Sequence, residues 1–167
     1  MLAAALLAPG TAWAASGDVG CIEAKLGPAA MARIGEGIAA AAGDRNAYAA
    51  AFNADREALL AARTACRTAG NWSPEAVRLA MSYLQARAAK LGAEPVLKAD
   101  GLDPARLASA YAALPIQDRK SLMDKVSPAV VDMVKAAAPG TRERLHVMML
   151  LTALAGIEFY PAEFAAS

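Results

Sequence analysis

Residues 145–160 read LHVMMLLTALAGIEFY, an apolar run interrupted only by His146, Thr152 and Glu158. A helix with no polar face must be surrounded, either by other helices or by lipid. The run is short for a bilayer, which takes about 20 residues, and His146 and Glu158 stand near its two ends. The stretch therefore predicts a central core helix over 142–160. Thr141 would cap it after Pro139-Gly140 and Pro161 would end it. Leu151 and Leu154 are expected among its most buried positions. The rest of the chain must then supply the helices that cover it.

The composition is suited to that task. Of 167 residues, 46 are alanine, and Phe, Trp and Tyr number only three, two and four. Alanine is the best helix former, and the aromatic and β-branched residues that favour sheets are scarce. Helix starts are marked three times by a capping residue followed by proline: Ser73-Pro74, Asp103-Pro104 and Ser127-Pro128. The hydroxyl or carboxylate accepts from the free N–H groups of the first turn, and proline at the first helical position has no N–H to leave unpaired. Each start carries the pair of a hydrophobic staple: Trp72 with Val77, Leu102 with Leu107, Val126 with Val131.

Upstream, Ile22, Leu26, Ala30, Ile34 and Ile38 recur every four residues, on one helix or on two joined at Gly27-Pro28. Gly35 and Gly37 there suit a close helix approach, and Gly43 a terminator. A second helix is expected from Asp44 to Gly70, buried along Tyr48, Phe52, Leu59, Ala62 and Cys66. The helix from Ser73 is expected to bury Val77, Met81, Leu84, Ala88 and Leu91 and to end at Gly92. The fold expected is all-α: six or seven helices in an orthogonal or bundle-like array around a central C-terminal hydrophobic helix. The motif RLA-x-x-Y occurs at 78–83 and at 106–111, but a repeat array needs at least three units and no third follows Pro128.

The N-terminus has the order of an export signal. Residues 2–8 are LAAALLA, Pro9-Gly10 break them, and Ala12 and Ala14 form an A-x-A site. Residues 1–14 are thus expected to be a cleaved signal peptide, although no Lys or Arg precedes the apolar run. Residues 15–167 would then form a single helical domain, periplasmic or secreted. Cys21 and Cys66 suit one disulfide in such an oxidising compartment. Gly20-Cys21 also resembles the end of a lipobox, which would anchor the chain through Cys21. Asp18, where an apolar residue belongs, and the distance from the apolar run count against it.

The remaining residues exclude much chemistry. The formal charge is +1, from 17 basic and 16 acidic side chains, so no nucleic-acid partner is indicated. With His146 the sole histidine there is no multi-histidine metal site, and no CxxC, HExxH, G-x-S-x-G or Walker motif occurs. Gly35-Glu36-Gly37 follows no strand and is no dinucleotide fingerprint. His146 with Met148 and Met149 could in principle hold copper(I) or a haem iron, but 148 leaves the face shared by 146 and 149, and methionine is ordinary core filler. Arg56, Arg63 and Arg67 share a stripe of the second helix, but interleaved Asp55 and Glu57 mark a solvated face. No catalytic, metal-ligating or cofactor-binding residue is assigned, and no cofactor is expected. The role expected is a non-catalytic binding or helper module acting on a protein partner of the cell envelope. One alternative is a carrier of a small apolar ligand in an inter-helix cavity lined by Met and Leu. The other is an enzyme of unrecognised type.

Overall fold

The computed structural model describes residues 17–41 and 43–167. The signal expected over 1–14 lies outside them. Eight helices, and no strand, occur among the described residues: α1 (Cys21–Ala41), α2 (Arg45–Ala50), α3 (Arg56–Gly70), α4 (Pro74–Ala99), α5 (Pro104–Ala112), α6 (Ile116–Ser121), α7 (Pro128–Ala137) and α8 (Thr141–Ala165). This exceeds the six or seven expected for two reasons. Residues 44–70 form two helices rather than one, and 116–121 form a short helix of their own.

The three Ser/Asp-Pro starts stand where the sequence places them. Ser73, Asp103 and Ser127 accept from Ala76, Ala105 and Val130 N–H. Other boundaries were moved by packing. Gly92 lies inside α4 because its bare Cα faces Gly35 of α1. A Cβ on Gly35 would lie 2.6 Å from the Ala88 carbonyl oxygen, so neither position has room for a side chain. Pro161 lies inside α8 rather than at its end. Phe164 beyond it is buried edge-on against Trp72, ring centroids 5.0 Å apart, and that burial outweighs the cost of a proline in a helix. Thr141 is the first residue of α8 and Gly140 holds the capping position.

The break at 51–55 has a cause in α1. Glycine at 37 lets the Ala51 Cβ come within 2.8 Å of where a Cβ would sit. Asp55 then turns inward, 7% exposed, and accepts from Arg33 Nε at 3.2 Å. It caps nothing with its side chain and is not part of the solvated face expected of it. Gly27, at φ 77°, ψ 169°, kinks α1 before Pro28.

Helices α4 and α8 run antiparallel through the centre. Trp72 meets Phe164 at one end, and Asp100 meets His146 at the other. Two cores flank them. Ile22, Ile34, Leu59, Cys66, Leu79 and Leu84 fill the first, between α1, α3 and the start of α4. Leu97, Leu107, Val130, Val147, Leu150 and Leu151 fill the second, between the end of α4, α5, α7 and α8. By length and composition α8 could cross a membrane; here it is packed by α4, α5, α6 and α7. The central place is shared, because α4 touches both α1 and α8 more extensively than any other pair of helices touch. Leu151 is fully buried, whereas Leu154 sits at the margin of the second core, half-buried.

Cys21 and Cys66 form the expected disulfide, S–S 2.02 Å with Cα atoms 6.0 Å apart, tying the start of α1 to the end of α3.

Candidate ligand cleft

Glycine and alanine bring α4 and α8 together and also leave space between them. A Cβ at Gly156 would lie 2.7 Å from that of Ala86, so α8 and α4 are in close contact there. Beside that contact, Ala86 and Ala89 of α4 and Ala153 of α8 are too short to fill the gap. The result is a cleft of about 340 Å³, closed on its remaining side by Ile38 of α1, the turn at Gly43 and Tyr48 of α2. That volume falls within the range of small-molecule sites, about 300–1,000 Å³.

The wall is apolar and uncharged. Met148, Met149 and Leu145 supply its bulk, and Leu145 stands at the mouth with 42% of its surface exposed. Ser82, Gln85, Thr152 and the two tyrosines, Tyr48 and Tyr160, are its polar members; among the described residues none of the lining side chains is acidic, basic or histidine. Tyr48 leans against Phe52 with ring centroids 5.8 Å apart. Burial pushes its phenol above the usual tyrosine range, and the neighbouring Tyr160 adds to the shift. The Tyr160 ring lies back over Gly156, where a Cβ would stand 2.9 Å from its edge.

The other residues singled out by the sequence lie elsewhere. His146 is a core residue, 1% exposed, and not a wall of the cleft; Met148 and Met149 line it without His146. His146 Nδ1 has no hydrogen-bond partner among the described residues. Its Nδ1 is 3.5 Å from Asp100 Oδ2, beyond a good hydrogen bond, and has no other polar contact. Among the described residues no group of three His, Cys, Asp or Glu could hold a metal ion. Arg56, Arg63 and Arg67 are exposed on α3. Glu158 joins two other titratable groups at once. It accepts from the Tyr111 hydroxyl at 2.5 Å and from Arg119 Nη2 at 2.8 Å. Arg119 also donates to the Leu114 carbonyl at 2.7 Å, so this cluster anchors α5 and α6 to α8. A second groove of about 400 Å³ between α5 and α7 carries Asp103 and Arg106 on its wall.

Sequence reasoning placed Tyr48 on a buried stripe and Tyr160 at the end of a core helix, and missed Gln85 and Ser82. Which faces of α4 and α8 oppose each other follows from Gly156 and Ala86 meeting, and no periodicity within one helix carries that pairing. No protein-family model, no curated protein and no solved structure matches this chain.

Proposed function

We propose that this is a non-catalytic binding protein that carries a small apolar molecule in the cleft between α4 and α8. The observation that carries the reading is the uncharged wall of Met148, Met149, Leu145 and the two tyrosines around about 340 Å³ of space. A wall without acid, base or imidazole favours binding over chemistry. The large apolar side chains exposed elsewhere, Leu60, Leu91 and Ile116, sit on three different helices, which gives a protein partner less to grip. The disulfide suits an oxidising compartment, and with the apolar leader it supports a periplasmic or secreted location.

The test is a titration of the full, disulfide-bonded chain with N-phenyl-1-naphthylamine, an uncharged dye that fluoresces in apolar surroundings. Saturable enhancement at one dye per chain is expected. Ala89→Phe, which fills the cleft from a half-buried position, should abolish it while the far-ultraviolet dichroism stays helical. Absence of saturable binding, or equal binding by a folded Ala89→Phe variant, overturns the reading.

A further inference from the structure

The polar groups of the cleft specify more than an apolar occupant. We infer that its ligand is electrically neutral and carries one or two hydroxyl or carbonyl oxygens, as a long-chain alcohol does, and is not a fatty-acid anion. This rests on the carrier reading above and narrows it.

Two observations lead there. First, no cation is among the described residues that line the cleft. Arg78 lies within electrostatic reach of the Tyr160 hydroxyl, but it is already occupied by Glu75, Nε to Oε2 at 2.9 Å and Nη2 to Oε1 at 2.6 Å. A carboxylate drawn into this wall would lose its hydration with no ion partner to replace it. Second, the wall does offer neutral hydrogen-bonding groups. The Tyr48 and Tyr160 phenols and the Gln85 amide make no side-chain hydrogen bond to any other described residue. Phenols donate to and accept from a hydroxyl, and an amide does both at once. Such groups complement an uncharged oxygen, and a ligand lacking one would leave them unpaired on binding.

Displacement of bound N-phenyl-1-naphthylamine separates the alternatives, with 1-dodecanol and dodecanoate as competitors at pH 8. Dodecanol should displace the dye at lower concentration than dodecanoate does. With each protein's own dye affinity measured first and allowed for, the double variant Tyr48→Phe, Tyr160→Phe should bind dodecanol roughly tenfold more weakly than the parent, the equivalent of about one lost hydrogen bond. Dodecanoate competing as well as dodecanol, or dodecanol indifferent to loss of the two hydroxyls, overturns the inference and leaves the carrier reading standing. Failure of the dye itself to bind overturns both.

Discussion

At the scale of single residues, what is absent at a position decides as much as what is present. Gly35 and Gly92 are held because α1 and α4 cross there with backbone against backbone. Gly35→Ala is expected to destabilise the fold by about 1–3 kcal/mol, the usual cost of forcing a methyl group into a filled contact, read as a lower urea midpoint with unchanged slope. Leu151 is the opposite case, a fully buried side chain whose truncation to alanine leaves a cavity and should cost about 2–5 kcal/mol. Stability equal to the parent in either variant would show the contact to be misplaced. His146 differs again, since its buried Nδ1 makes no hydrogen bond that a substitution could break. His146→Met, similar in volume, should stay within about 1.5 kcal/mol of the parent in the same assay. A larger loss would show that the 3.5 Å approach to Asp100 contributes more than its geometry suggests.

At the scale of elements, local signals were legible and tertiary ones were not. A capping residue followed by proline acts within one turn, so the starts of α4, α5 and α7 could be read from residues 73, 103 and 127 alone. Gly92 and Pro161 were misread as ends because the residues that overrule them, Gly35 and Trp72, are remote in sequence. The inward turn of Asp55 likewise depends on Arg33, 22 positions away. The cleft belongs to the same class, since it exists only once α4 and α8 are paired. The anchoring of α5 and α6 to α8 adds a pH dependence. Hydrogen bonds from Arg119, and then from Tyr111, hold the Glu158 carboxyl below its usual range. The stabilisation is therefore fully present above the unfolded value, about 4.3, and is lost as the pH falls through the lower folded value. Glu158→Gln should flatten the acid limb of a stability-against-pH curve below about pH 4.3 and leave its shape near neutrality unchanged. An acid limb identical to that of the parent would count against the cluster.

At the scale of the whole molecule, the two cores share α4 and α8, so unfolding is expected as one transition seen alike by fluorescence and dichroism. Reduction should lower that transition, because the bridge closes a loop with a sequence separation of 45. The loss is about 4 kcal/mol if the effect is the chain entropy of the unfolded state. No change in melting temperature on reduction would show that the unfolded chain is not constrained by the bridge. The bridge also divides the cleft by covalent topology. Ile38, Gly43 and Tyr48 lie on the segment that Cys21 and Cys66 close into a ring, whereas the residues of α4 and α8 lie outside it. One wall of the cleft is thus cyclic and the other linear. Opening the ring frees only the first, so the amide protons of α1 and α2 should exchange faster after reduction while those of α8 change least. Any molecule held in the cleft would then feel reduction of the bridge through slack in one wall, without any cysteine entering the cleft.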